Sequence, residues 1–226
     1  MQKLPKEVVT MRTTKLLLAA AAISAAGWIT ANAQQNVYSQ NVVGYINVTI
    51  PAGKMALIAN QLWQTNMTLE NLLPNAPEGL AVYKYTGSGW DGYEFIPGIG
   101  WVPDGSATLA PGEGAMVKNP SGTESLVLTF VGEVMQGSLT NQLPAGLSVK
   151  SLMVPIAIGG TNTLAANGFP AVDGDCVYKY ASGVYEGYEY MEGVGWVPEE
   201  PTFNVGEAFF VKKNAPTVWV RNFTVQ

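Results

Sequence analysis

Residues 81–103 read AVYKYTGSGWDGYEFIPGIGWVP, and residues 176–198 read CVYKYASGVYEGYEYMEGVGWVP. The two stretches align without a gap at an offset of 95, and 12 of their 23 positions are identical. The likeness extends to both sides. Pro51-Ala52-Gly53 returns as Pro144-Ala145-Gly146. Gly112-Glu113-Gly114-Ala115-Met116-Val117-Lys118 returns as Gly206-Glu207-Ala208-Phe209-Phe210-Val211-Lys212. Self-similarity over this length marks one structural unit duplicated in tandem. It divides the chain into a leader at 1–33, a first repeat at 34–135 and a second at 136–226.

Within one repeat, short apolar runs are punctuated by Gly and Pro. Gly44 to Ile50 alternates Tyr, Asn and Thr against Ile, Val and Ile, the pattern of a half-buried strand. Pro51-Ala52-Gly53 supplies a turn, proline fixing one φ and glycine tolerating a positive one. A more continuously apolar strand follows from Met55 to Leu62. Leu69, Leu72 and Leu73 fall at i, i+3 and i+4 behind Asn66 or Thr68 as a cap, which predicts a helix of one or two turns ended by Pro74 and Pro77. Val82–Tyr85 and Trp90–Phe95 read as a hairpin about Gly87-Ser88-Gly89. Trp101-Val102, Ala115–Lys118 and Leu126–Val131 complete the copy, and the second copy runs in the same order to a last strand at Thr217–Val225.

The fold class is therefore all-β: two tandem homologous small β-sandwich or β-barrel domains, each with at most one short helix. The link near Gly132–Ser138 is short, which predicts copies packed together. The segment Val37–Ile50 has a weaker counterpart ahead of Pro144, so exchange of a strand between the copies is open at this point.

The leader reads as a signal peptide. Arg12 and Lys15 give a positive start, Leu16–Ala26 an apolar core, and Ala31-Asn32-Ala33 a cleavage site before Gln34. Met11 offers a second start. The apolar run is short for the roughly 30 Å of a bilayer core, so the expectation is a protein secreted or held in the cell envelope, with no membrane insertion after cleavage. Lys3, Lys6, Arg12, Lys15 and Glu7 lie in the leader, leaving 8 basic and 16 acidic residues and a formal charge of −8. That balance excludes nucleic acid, which needs a basic footprint to displace counterions.

The chain has no histidine, which removes the usual general base and the commonest metal ligand. Its single cysteine, Cys176, excludes an intrachain disulfide and is expected as a small buried hydrophobe. No catalytic, metal-ligating or cofactor signature stands out, so the expectation is a non-enzyme without metal or cofactor.

The aromatic hairpins are the best binding candidates, through Trp90 and Tyr93 in the first copy and Tyr185 and Tyr188 in the second. Exposed rings suit sugars or another protein; buried, they are simply core. Trp101 and Trp196, each between Gly and Val-Pro, read as core anchors. The equivalent carboxylates Asp91/Glu186, Glu94/Glu189 and Glu113/Glu207 lie on separate copies, and nothing in the sequence assembles the facing pair that glycoside hydrolysis needs. Asp173-Gly174-Asp175 and Glu199-Glu200 lack the spacing of a calcium loop and read as turns. Lys118, Lys212 and Lys213 are expected on exposed strand edges, where lysine discourages edge pairing.

The function expected from the residues is a non-catalytic exported cell-surface or extracellular structural or adhesion protein. A carbohydrate-binding module-like role through the hairpins is the alternative, and a carboxylate-dependent glycoside hydrolase the third. The partner would be an extracellular protein or polysaccharide.

One resemblance bears on this. Val37-Tyr38-Ser39-Gln40-Asn41-Val42-Val43-Gly44-Tyr45, Leu143-Pro144-Ala145-Gly146, Val177-Tyr178-Lys179-Tyr180, Gly195-Trp196-Val197-Pro198 and the run from Gly206 to Lys213 carry it. In these the chain resembles secreted two-repeat β proteins of Verrucomicrobia and related bacteria, over essentially the whole mature length. More loosely it is similar to bacterial surface repeats with a Gly-Trp-Asn-Leu strand followed by Gly-x-Gly-Tyr-Trp-Val. Lys54-Met55 and Leu147-Ser148 stand where those have Trp-Asn. The resemblance implies export and architecture, and no catalytic residue is carried over from it. N-terminal sequencing of the exported protein is expected to start at Gln34; material retaining residues 1–33 outside the cell would overturn the cleavage site.

Overall fold

The computed structural model describes residues 42–181 and 183–225; the expected signal peptide and the first residues of the first repeat lie outside them. The first repeat forms β1 (Val43–Ile50), β2 (Met55–Ile58), α1 (Leu69–Leu72), β3 (Ala81–Tyr85), β4 (Trp90–Ile96), β5 (Gly100–Val102), β6 (Ala115–Lys118) and β7 (Leu126–Glu133). The second forms β8 (Gly137–Leu143), β9 (Gly146–Lys150), β10 (Cys176–Ala181), β11 (Val184–Met191), β12 (Gly195–Val197), β13 (Phe209–Lys213) and β14 (Thr217–Phe223). All pairings between these strands are antiparallel.

Each copy builds the same two layers. A five-stranded sheet runs β2-β6-β3-β4-β5 in the first and β9-β13-β10-β11-β12 in the second. A two-stranded ribbon, β1-β7 or β8-β14, covers it. The alternation read in β1 turns Ile46 and Ile50 inward and Tyr45, Asn47 and Thr49 outward. Ile50, Leu128 and Phe130 of the first ribbon pack on Val82, Val117 and Trp101 of its sheet. Leu143 and Trp219 pack on Val177, Phe209, Val211 and Trp196 in the second. An apolar layer between two open sheets is a sandwich rather than a closed barrel. Each ribbon pairs strands of its own copy, so the described strands show no exchange.

The strand expected from Met55 to Leu62 stops at Ile58, because the chain there turns to the other copy. The Ala59 N–H donates to the Gly206 carbonyl at 2.9 Å, and the Gly206 N–H donates to Gln61 Oε1 at 2.9 Å. Asn60 stays buried by donating to the Leu109 carbonyl at 3.1 Å. Helix α1 buries Leu69 and Leu72; Thr68 is its N-cap without a side-chain bond, and Asn66 Oδ1 accepts the Thr68 N–H at 3.1 Å.

The two copies grip each other through the same contacts in both directions, as the halves of a two-fold dimer do. Ala59 N–H to Gly206 O at 2.9 Å is answered by Ser151 N–H to Gly112 O at 3.1 Å. The bridge Ile58–Glu207 is answered by Lys150–Glu113. Gly114 sits at the centre, where a Cβ would strike the Ala208 methyl and lie 2.6 Å from Val149 Cγ1. Around it Leu57, Ala59, Met116, Val149, Ala208 and Phe210 form a third apolar cluster shared by both copies.

Two expectations are corrected. β6 and β13 lie inside their sheets, not at edges. Lys118 and Lys212 point to solvent from a sheet face, and Lys213, one residue on, points inward and is only 3% exposed. Its ammonium pairs with the buried Asp175 carboxylate and donates to the Pro170 carbonyl at 2.6 Å. In the first copy these two positions are Asn119 and Leu80, and the Asn119 amide ties the Ile50 and Glu124 carbonyls at 3.0 and 2.8 Å. Cys176 is half-buried rather than buried, its thiol 3.7 Å from the Gly174 carbonyl.

Removing one partner of a buried ion pair strands the other charge, at a cost of about 3–5 kcal/mol. Asp175→Ala is expected to lose that much in urea unfolding. The double variant Asp175→Leu with Lys213→Asn, which copies the first repeat, is expected to recover most of it.

Candidate functional site

Cross-strand register sets the site. In hairpin β3–β4, Tyr85 lies directly opposite Trp90; in β10–β11, Tyr180 lies opposite Tyr185. Such pairs share one face and touch: the ring centroids are 5.2 Å and 4.9 Å apart. Both hairpins lean over one residue, Phe210 of β13. Its ring meets Tyr85 at 5.4 Å, Trp90 at 5.9 Å and Tyr185 at 5.7 Å, in edge-on contacts inclined by 81°, 86° and 65°. Edge-to-face packing is a favoured aromatic geometry and fixes each ring against its neighbour.

The result is an open cleft of about 630 Å³ between the copies, with Tyr85 and Trp90 from one and Leu147, Tyr178, Tyr185, Phe210 and Lys212 from the other. Trp90 is 39% and Tyr185 49% exposed, so both present ring surface while braced from behind. The lining is almost wholly apolar; Lys212 is its one charged member.

The four residues named from sequence divide. Trp90 and Tyr185 meet in the cleft. Tyr93 and Tyr188 do not: they are half-buried against the first and second cores respectively. Three positions along a strand reverse the face, so Tyr93 cannot share the side of Trp90. The Tyr188 hydroxyl lies 3.4 Å from Glu186 Oε2. Trp101 and Trp196 are buried, at 6% and 7% exposure, as core anchors.

Two polar pockets lie in equivalent places about the interface. In one, of about 460 Å³, Lys84 pairs with Glu113 at 3.0 Å beside Lys150. In its twin, of about 400 Å³, Lys179 approaches Glu207 at 3.6 Å beside Ile58. Each glutamate also holds its own turn: Glu113 Oε2 accepts the Ala110 N–H at 3.0 Å, and Glu207 Oε2 the Asn204 N–H at 2.8 Å. The other acidic candidates are engaged in loops. Asp173 Oδ1 accepts the Glu192 N–H at 2.9 Å, and Glu200 Oε1 the Leu164 N–H at 2.8 Å. Among the described residues no cluster of three or more His, Cys, Asp or Glu is placed to hold a metal.

The sequence reading missed Phe210, Leu147 and Lys150. A signal existed for two of them. Phe210 replaces Met116 in the aligned repeats, and in the paired registers Lys150 occupies the place of Ile58. Compared with protein-family models, curated proteins and solved structures, the chain gives no match.

Burial raises the Tyr185 pKa above its ordinary 10.0, and the nearby Tyr180 adds to it. The unfolded tyrosine then ionises first, so this contribution to stability is complete below pH 10 and lost as pH rises through the folded value. Ultraviolet titration at the phenolate band is expected to show a late-ionising tyrosine that Tyr185→Phe removes, with thermal stability falling above pH 10 less steeply in that variant.

Proposed function

We propose that this is a non-catalytic exported adhesion protein, secreted or held at the cell envelope, that grips a polysaccharide in the aromatic cleft between its repeats. The observation that carries the proposal is the pair of half-exposed rings, Trp90 and Tyr185, braced edge-on by Phe210 in an open groove. A pyranose ring has a flat face of C–H groups and a polar rim, and stacking on indole or phenol buries that face while leaving the hydroxyls wet. Rings held by packing bind without first being ordered, which favours affinity. Glu113 and Glu207 are tied to lysines and to turn N–H groups rather than facing one another as an acid and base across the cleft. That is why the binding reading is preferred to hydrolysis.

The test is a glycan array read beside the protein's mass in solution. Binding is expected to at least one neutral or acidic polysaccharide. Trp90→Ala and Tyr185→Ala should each weaken it about tenfold, equivalent to about 1.4 kcal/mol, at unchanged mass. A glycan-silent protein of heterogeneous size would overturn the proposal in favour of a structural assembly.

A further inference from the structure

The two polar pockets at the interface share a scaffold and differ in charge. In the twin pocket, Lys179 and Glu207 face one another and the remaining position is Ile58, 1% exposed. In the pocket beside the cleft, Lys84 and Glu113 form the corresponding pair and the remaining position is Lys150. Lys150 is half-buried, its backbone bridges to Glu113, and its ammonium makes no hydrogen bond or ion pair within 4.0 Å to any other described residue. The pocket therefore holds one ammonium in excess, next to a carboxylate already bound to Lys84 and to a turn N–H. Burial lowers the Lys150 pKa; Glu113 opposes that and Lys84 adds to it.

Nothing in folding calls for this lysine. Its twin position is filled by isoleucine on the same backbone, whereas an unpaired, partly desolvated ammonium near a second one is unfavourable. A charge kept at such a cost, in a concave site, points to a ligand of opposite sign. The place of the pocket says where that ligand comes from. Tyr85, Gly146 and Leu147 line both this pocket and the aromatic cleft, so a chain stacked on Trp90 and Tyr185 has the lysine pocket beside it.

We infer that the pocket between Lys84 and Lys150 takes the carboxylate or sulfate group of an acidic saccharide whose ring lies in the aromatic cleft. This rests on the polysaccharide reading above and narrows it to acidic chains. An ammonium with three rotatable donors suits either anion, and the ring substituent brings its charge while the stacked face brings apolar contact.

The experiment compares trigalacturonate with galactotriose, an uncharged trisaccharide, by calorimetry at matched ionic strength, with sodium sulfate as a competitor. Wild-type protein should bind the acidic trisaccharide at least tenfold more tightly, and sulfate should displace it without displacing the neutral one. Lys150→Ile, which copies the twin pocket, should erase the preference, leave the neutral affinity unchanged and raise the melting temperature of the unliganded protein. Lys150→Met serves should isoleucine fail to fold, and Lys150→Arg should retain the preference. Equal affinity for both sugars in the wild type, or a preference that survives Lys150→Ile, overturns the inference and leaves the cleft reading standing. Failure to bind either sugar overturns both, even where sulfate alone still stabilises wild type but not Lys150→Ile.

Discussion

The reciprocal seam between the Gly-Glu turns and the facing edge strands governs the rest of the molecule. Each five-stranded sheet would otherwise end in an open edge, β2 or β9, and an open edge is a template for aggregation. Here the last residue of each edge strand bridges to the Gly-Glu turn of the other copy, and the next N–H donates across the seam. The seam tolerates almost no side chain at its centre, since Gly114 faces Ala208 and Val149 at contact distance. Gly206 shows the same crowding in a positive-φ turn, φ 78°, with Val48 Cγ2 2.6 Å from where its Cβ would stand. Overpacking such a site costs about 1–3 kcal/mol, which explains why small residues sit here.

Symmetry about that seam is the background against which function is visible. Residues that match in both copies, such as Trp101 and Trp196 or Glu113 and Glu207, are explained by the sandwich and its turns. A few of the departures mean more. Asp175 and Lys213 replace Leu80 and Asn119, and both solutions hold buried backbone in place: one through an ion pair, the other through an amide reaching several carbonyls. Phe210 for Met116 and Lys150 for Ile58 do not fit that description. The first gathers three rings of two hairpins about itself; the second places a charge where an aliphatic group serves equally well. Both lie on the same side of the seam, and their cavities share residues.

Most of the fold was legible because strand signals are local. Period-two alternation in β1, glycine-bearing hairpin tips and the proline-closed helix α1 depend on neighbours in sequence. What failed depended on partners far away. The end of β2 at Ile58 is set by the Gly206 carbonyl, which accepts the Ala59 N–H from 147 positions further along the chain. Lys213 looked like Lys212 until the strand's pleat separated them, one to solvent and one to Asp175. Trp90 and Tyr93 looked like one platform although their spacing already assigned them opposite faces. The site was half legible: the hairpin aromatics were visible as a group, but Phe210 as their common support and Lys150 as an unmatched charge emerge only from the registered repeats.

Duplication also accounts for why the cleft exists. One copy alone supplies one hairpin tip, whose two rings can stack on each other but enclose nothing. The second tip and Phe210 close the other side, and the seam fixes the distance between them. A half-exposed ring in a single sandwich would be a mobile apolar patch; with edge-on partners at 5.4–5.9 Å it is held in one orientation before any ligand arrives. Stacking on preset rings requires little ordering from the protein, so even modest contacts leave a net gain. The same rigidity limits what fits, because a groove set by packed rings cannot widen without loosening the seam. Selectivity then falls to the groups beside the rings. The ammonium groups there, Lys212 in the cleft and Lys150 next to it, favour a negatively charged ligand although the protein as a whole is acidic.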